Sequence, residues 1–149
     1  MSFTPSVTYK DPMAALAWLQ QAFGFETTML IEPPTNDPTS MHAEMCLAGK
    51  GRVMIGAEWS EWTRSPVSLG GANTINLHVD LETDVDAHCE HARKAGAIID
   101  QEPVDQFYGA RTYRARDPEG HVWTFGQTVR EVSREEAERV SGLKITGWV

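Results

Sequence analysis

Two matching stretches decide the fold: Gly51-Arg52-Val53-Met54-Ile55-Gly56 and Gly120-His121-Val122-Trp123-Thr124-Phe125-Gly126. Each follows a helix-like segment that ends in an apolar residue, a glycine and a second apolar residue. The two helix-ending glycines, Gly24 and Gly96, are 72 residues apart, and the first glycines of the two stretches are 69 residues apart. Two landmarks at nearly one interval indicate a duplicated module.

The elements within each module follow from local patterns. Asp11 is a helix N-cap, Pro12 suits the first helical position, and Gly24 ends the helix. Alternating or β-rich segments bounded by turn residues predict strands. The predicted strands are 3–9, 25–31, 42–48 and 52–58 in the first half and 73–80, 97–102, 111–116 and 121–127 in the second; the predicted helices are 12–23 and 84–95.

The order in each half is therefore βαβββ. One helix for every four strands is too few to cover a parallel sheet on both faces, which excludes a doubly wound fold. We predict an α+β protein with two modules in tandem, cup-shaped mixed sheets and helices outside. A single domain of residues 1–149 would comprise module one (3–58), a linker (59–72), module two (73–127), and a C-terminal helix and tail (133–149).

Composition limits the possible partners. The net charge of −8 disfavours binding to nucleic acid and to anionic membranes, and leaves neutral or cationic small molecules. No apolar run is long enough to span a bilayer, and no signal peptide is visible. Cys46 and Cys89 lie far apart and indicate reduced thiols, so we expect a cytoplasmic protein.

The paired modules and the stretch Arg116-Asp117-Pro118-Glu119-Gly120-His121-Val122-Trp123 resemble the vicinal oxygen chelate superfamily. That superfamily includes glyoxalase I, bleomycin-resistance proteins, fosfomycin-resistance enzymes and extradiol dioxygenases. The resemblance covers residues 3–127. It implies a ligand cavity inside the cup and a homodimer, and it leaves the chemistry open because the scaffold hosts lyases, transferases, dioxygenases and binding proteins.

The resemblance also implies four metal-ligand positions, which enzymatic members fill with His, Gln or Glu. The corresponding positions here are Thr4, Thr74 (or Asn73 if the register shifts by one), Thr124 and, by the repeat interval, Ile55. None of these side chains suits a family-type metal. We therefore expect neither a metal nor another cofactor.

Strand parity selects the residues that share the cup. They are Thr4, Ser6 and Thr8 in module one, and Thr74, Asn76 and His78 in module two, whereas Ile75, Leu77 and Val79 should pack against the helix. His78 is the best-placed general base, with a hydrogen-bonded core histidine as the alternative. Glu44 is the other catalytic candidate, and the sequence leaves open which face of its strand Glu44 or Tyr113 occupies. The remaining predicted ligand contacts are Tyr113, Thr124 and Arg111, the last as an anion clamp or a surface ion pair.

Aromatic residues are predicted at the rim of the cup. Trp59 and Trp62 lie among Glu58 and Glu61 after the fourth strand, and Tyr108 was assigned to the corresponding loop of module two. Aromatic faces beside carboxylates favour a cationic or neutral planar ligand. A plug in a dimer interface is the alternative.

Three functions fit these features. The first is a metal-free protein that binds a small organic molecule in the cup, as in drug or toxic-compound sequestration. The second is a glyoxalase-like lyase, isomerase or dioxygenase acting on a small metabolite. The third is a structural or regulatory dimer whose cup is plugged by side chains.

Overall fold

The computed structural model describes residues 2–34 and 36–148. Its eight strands and three helices follow in the order predicted. The strands are β1 (Ser6–Tyr9), β2 (Phe25–Ile31), β3 (His42–Leu47), β4 (Lys50–Ala57), β5 (Asn76–Asp80), β6 (Ile98–Asp105), β7 (Ala110–Arg116) and β8 (Val122–Thr128); the helices are α1 (Pro12–Phe23), α2 (Val85–Lys94) and α3 (Arg134–Ser141).

The strands form two four-stranded mixed sheets of identical topology. Sheet one has the order β1-β4-β3-β2 and sheet two the order β5-β8-β7-β6. In each, the first strand pairs in parallel with the last, and the other neighbours are antiparallel. The prediction of an α+β fold built from duplicated βαβββ modules is confirmed.

The helix boundaries have local causes. The Asp11 carboxylate accepts a hydrogen bond from the Ala14 amide at 3.0 Å, and Gly24 ends α1 with a φ of 76°. Asp84 caps α2 through the amides of Asp86 and Ala87. These caps supply partners for amides that a helix start would otherwise leave unpaired.

α1 covers one face of sheet one, α2 covers one face of sheet two, and the two helices also pack against each other. One apolar core runs through both modules, from Leu19 and Phe23 of α1 to Trp123 and Phe125 of β8. The other face of each sheet carries no helix, and we call it the open face. Among the described residues, the two sheets meet through this helix-side core, where Phe25 of β2 packs on Trp123 of β8 with ring centroids 5.4 Å apart.

Hydrogen-bonding side chains join the modules in what we call the seam, which consists of the buried Tyr9, Asp117 and Trp123 and the half-buried Glu119. The Asp117 carboxylate accepts bonds from the Tyr9 hydroxyl (2.7 Å) and the Trp123 indole (3.0 Å). The Glu119 carboxylate accepts the backbone amides of Lys10 and Asp11, at the start of α1. The predicted Asp-Pro-Glu-Gly turn of module two therefore holds module one in place.

Differences from the predicted elements are confined to their ends. β1 and β5 begin at Ser6 and Asn76, three residues later than predicted, so Ile75 precedes the strand and is 40% exposed instead of packing against a helix. In the tail, the Trp148 indole donates to the Val132 carbonyl and the Ile145 amide to Glu138. The tail thus folds back on α3, and Val149 lies outside the described residues.

Among the helices of the described residues, none combines the length and apolar character that a membrane span requires.

Candidate functional site

The open face of sheet two carries a row of polar side chains. On β5, Leu77 and Val79 face the core, whereas Asn76 and His78 are exposed. The Thr124 hydroxyl of β8 donates to the Asn76 amide oxygen at 3.3 Å. The predicted parity of this strand is therefore correct, and it gathers Asn76, His78 and Thr124 on one surface.

His78 lies at an unusually open point of this surface. Its Nε2 is 3.5 Å from an Asp80 carboxylate oxygen, and about half of its side-chain surface is exposed. Gly126 lies on β8 opposite Asp80, and a Cβ added to this glycine would lie 3.1 Å from His78 Nε2. The glycine thus provides the space that the imidazole occupies.

On the open face of sheet one, the polar side chains contact one another. Arg52 Nη1 lies 3.4 Å from the Glu44 carboxylate, and Arg52 Nη2 donates to the Thr4 hydroxyl at 3.2 Å. Ser6 is exposed beside them at the start of β1, opposite Met54. Thr4 and Ser6 thus share a face as predicted, Glu44 lies on the same face, and Arg52 engages Thr4 and Glu44.

The assignment of Ile55 to the fourth metal position is wrong. Ile55 is completely buried in the core, because β4 turns this side chain toward the helix side of the sheet. Register and parity place Met54 on the open face, opposite Ser6. The equivalent interval at this point of the repeat is 70 residues, so Met54 is the counterpart of Thr124.

Tyr113 lies on the opposite side of sheet two from the predicted cup. It is fully buried, and its hydroxyl is 2.7 Å from His88 Nδ1 on α2. Burial raises the pKa of Tyr113 far above its ordinary value. The alternation of β7 requires this placement, because Tyr113 and Ala115 are the core-facing residues of the strand.

Arg111 shares the helix side with Tyr113 and forms the ion pair that the sequence left as an alternative. Its guanidinium bonds the Asp86 carboxylate at 2.7 and 2.8 Å and Asp105 at 2.9 Å. The hydrogen bonds that it donates to these carboxylates raise the pKa of Arg111. The alternative of an anion clamp at Arg111 is not supported by these contacts.

The predicted rim aromatics lie apart from the other site residues. Trp59 and Trp62 are 63% and 81% exposed and pack edge to face in the turn after β4. Tyr108 is in the β6–β7 hairpin, whose counterpart in module one connects β2 to β3. The assignment of Tyr108 to the loop that corresponds to Trp59 and Trp62 is therefore wrong.

Two cavities adjoin these surfaces. One, of about 450 Å³, lies on the open face of sheet two and is lined by Asn73, Thr74, Ile75, Asn76, Arg114 and Val122. The other, of about 530 Å³, is a cleft between the modules; His78, Arg52 and Phe3 contribute to its rim, and Phe25 and Trp123 to its floor. Both have the size of small-molecule sites. Trp59 and Trp62 line neither.

Arg114 is a candidate site residue that was not predicted from the sequence. It lies opposite Thr124 on the open face of sheet two, and Thr124 in turn pairs with His78. The signal was present in the chain: because Tyr113 and Ala115 are the apolar positions of β7, the arginine between them must project from the other face. Arg111 was selected instead because it follows an aromatic-glycine turn.

Comparisons with known proteins agree with this architecture. The chain matches the sequence profile of the Glyoxalase/Bleomycin resistance protein/Dioxygenase superfamily over residues 4–125. An uncharacterised protein of Mycobacterium bovis is 31% identical over 141 residues, which cover 92% of this chain and 90% of that protein. An uncharacterised protein of Mycobacterium tuberculosis H37Rv is also 31% identical, over 92% of this chain and 80% of its own.

Solved structures show the same fold. TioX from Micromonospora sp. ML1 has a TM-score of 0.63 and 31% identity, covering 89% of this chain and 100% of its own. A superfamily member from Sphaerobacter thermophilus has a TM-score of 0.66 at 20% identity, covering 85% of this chain and 98% of its own, and at that identity it shows the fold alone. The chain belongs to the glyoxalase/bleomycin resistance protein/dioxygenase superfamily.

Proposed function

We propose that the protein binds a small organic molecule on the open faces of its sheets without a family-type metal, in the manner of a sequestering protein. The observation that carries this proposal is the set of residues at the four ligand positions: Thr4, Met54, Thr74 and Thr124. Hydroxyls and a thioether are poor ligands for the divalent metals that the family uses. No imidazole or carboxylate occupies any of the four.

The titratable side chains near these four positions do not supply a metal-ligand set in their place. Glu44 is engaged by Arg52, and His78 and Asp80 together supply only two donors, where a catalytic site needs three protein ligands. Within the described residues, the one cluster of three possible ligands is Cys89, Glu90 and Glu102 on the helix side of sheet two. There Arg93 already pairs with both carboxylates.

The open faces have the character of a binding surface. Their floors combine small and polar side chains, such as Ser6 and Thr8 in sheet one and Asn76 and Thr124 in sheet two. The cavity beside Asn76 adds apolar contacts from Ile75 and Val122. A few polar groups on a partly apolar wall are typical of small-molecule sites.

A second copy of the chain completes the site in this proposal. Among the described residues of one chain, the two sheets meet through their helix-side core and not through their open faces, so neither open face is closed by the other module. Edge strand β2 also exposes three consecutive apolar residues, Met29, Leu30 and Ile31. Exposed apolar edges are usually covered by a partner. Light scattering should report a dimer, and a monomer at micromolar concentration would contradict this part.

The test combines metal analysis with ligand binding. Protein purified without a metal-affinity tag is analysed for transition metals and is then screened by thermal shift against neutral, cationic and anionic aromatic compounds, with and without EDTA. We expect substoichiometric metal and a saturable stabilisation that EDTA leaves unchanged. A stoichiometric metal held on the open faces, or no binding by any compound class, would overturn the proposal.

A second candidate is an enzyme of isomerase or lyase type with His78 as general base. The pairing of His78 with Asp80 and the space left by Gly126 favour it, because an exposed imidazole beside a carboxylate can accept a substrate proton. Glu44 is less suited, since its carboxylate already faces the Arg52 guanidinium at 3.4 Å. Mass spectrometry of each bound compound after incubation with wild type and H78Q would detect turnover that depends on His78.

A further inference from the structure

Arg114 differs from the other arginines in its lack of a carboxylate partner. Among the described residues, only Arg114 and Arg139 have no Asp or Glu oxygen within 4.0 Å of the guanidinium. Arg139 projects from α3, on the exposed C-terminal appendage. Arg114 lines the cavity on the open face of sheet two.

The other two arginines of β7, Arg111 and Arg116, both have carboxylate partners. Arg111 is held by Asp86 and Asp105, and Arg116 bonds Asp100 at 2.7 and 2.9 Å. Arg114 alone on this strand keeps all of its donors available.

The groups around Arg114 are also donors. The Asn76 amide oxygen accepts a hydrogen bond from the Thr124 hydroxyl, so the NH₂ group of the same amide can donate to a ligand. The Thr74 hydroxyl lines the same cavity. A guanidinium, an amide NH₂ and a hydroxyl around one cavity match a group that only accepts hydrogen bonds.

We propose that Arg114 and Asn76 bind the carboxylate of an organic acid whose apolar body lies on Ile75 and Val122. The inference rests on the proposed function, because it specifies the ligand class for the same open face. A guanidinium presents two parallel N–H groups that fit a carboxylate, and this geometry favours a planar anion over a point charge. The apolar side chains at the cavity wall supply the contact for a hydrocarbon or aromatic body.

This ligand class differs from the cationic or neutral compound that the net charge predicts. Charges farther away than about 8 Å are largely screened at physiological ionic strength, whereas a guanidinium in direct contact with a carboxylate is not. The overall charge of −8 therefore weakens the attraction of anions from a distance without cancelling a direct contact at Arg114. Glu58 and Glu61, which supported a cationic ligand, line neither of the two cavities.

The experiment compares 1-naphthoate with 1-naphthamide, which has nearly the same shape and no charge, by isothermal titration calorimetry. We expect wild type to bind the acid at least tenfold more tightly than the amide. R114Q should lose at least tenfold of its affinity for the acid and little of its affinity for the amide. R114K should retain part of that affinity, because lysine keeps the positive charge but lacks the planar guanidinium that can bond both carboxylate oxygens.

R139Q is the matched control, because it removes the same charge from an arginine that is also unpaired but lies on α3. It should bind the acid within twofold of wild type, and all variants should keep the wild-type circular dichroism and melting temperature. Equal binding of acid and amide, no binding of the acid, or an equal loss in R114Q and R139Q would overturn the inference. If the inference fails but the amide binds, the proposed function still stands. If no class of compound binds, the proposed function and the inference both fail.

Discussion

Polar groups in the seam and polar groups on the open faces differ in how completely they are partnered. In the seam, Asp117 accepts hydrogen bonds from Tyr9, from Trp123 and from the backbone amides of Glu119 and His121. On the open face of sheet two, Arg114 has no carboxylate partner. Buried polar groups must be paired to avoid a large desolvation cost, so the seam specifies how the modules dock. The open faces leave donors for a molecule from outside.

This contrast predicts that changes in the seam lower stability and changes on the open faces lower binding. The largest effect is expected for D117N. In either orientation the Asn NH₂ faces N–H donors, which are the Trp123 indole or the backbone amides of Glu119 and His121, and the change removes a buried charge that these donors stabilise. We expect a loss of about 3 kcal/mol in the free energy of unfolding and a fall in Tm of roughly 10 °C.

D105N is the control for D117N. Asp105 is mostly exposed and pairs with Arg111 at the surface, so its loss should cost less than about 1 kcal/mol. Urea denaturation followed by tryptophan fluorescence measures both variants. Equal stabilities for D117N and D105N would show that the seam does not hold the modules together.

A smaller effect on stability should appear with pH, through His88. Its Nδ1 faces the Tyr113 hydroxyl and its Nε2 donates to the Phe23 carbonyl at 3.0 Å. Burial lowers the pKa of His88, with a smaller contribution in the same direction from His91 and an opposing one from Phe23. The unfolded chain therefore takes up this proton at a higher pH than the folded chain, and stability should fall as pH drops below about 6.5, by at most about 1.4 kcal/mol between pH 7.5 and 5.5.

H88Q should remove this part of the pH dependence, because glutamine does not titrate. H91Q is the matched control: His91 lies on the same helix and bonds the Gln21 carbonyl from an exposed position. Urea denaturation at pH 7.5 and 5.5 gives the comparison. A wild type whose stability rises on acidification between these values, or an H88Q slope equal to wild type, would contradict the assignment.

Most of the fold could be predicted from the sequence because the residues that begin and end its helices and strands act locally. Asp11, Pro12 and Gly24 each act within one helical turn, and the alternation of β5 separates Leu77 and Val79 from Asn76 and His78. Errors arose where the start of a strand depends on pairing with a distant partner. β1 and β5 begin only where β4 and β8 come alongside, and no local signal marks that point.

The site was less predictable because each residue was assigned without knowing which face of its strand is buried. Tyr113 and Arg111 were candidate ligand contacts whose face the sequence left open, and β7 turns both toward α2. Parity applied to β7, as it was to β5, selects Arg114. The positions of Trp59 and Trp62 depend on how the linker folds after β4, which no periodic pattern specifies.

The most direct test of the contrast is an NMR titration of ¹⁵N-labelled wild type with 1-naphthoate, observed at side chains. The signals to follow are the Arg114 Nε–H and the Asn76 amide on the open face, and the Trp123 indole N–H in the seam. We predict progressive, saturable shifts for Arg114 and Asn76 and an unchanged Trp123 signal. A shift of the Trp123 indole with Arg114 and Asn76 unmoved would place binding at the cleft between the modules and contradict the account.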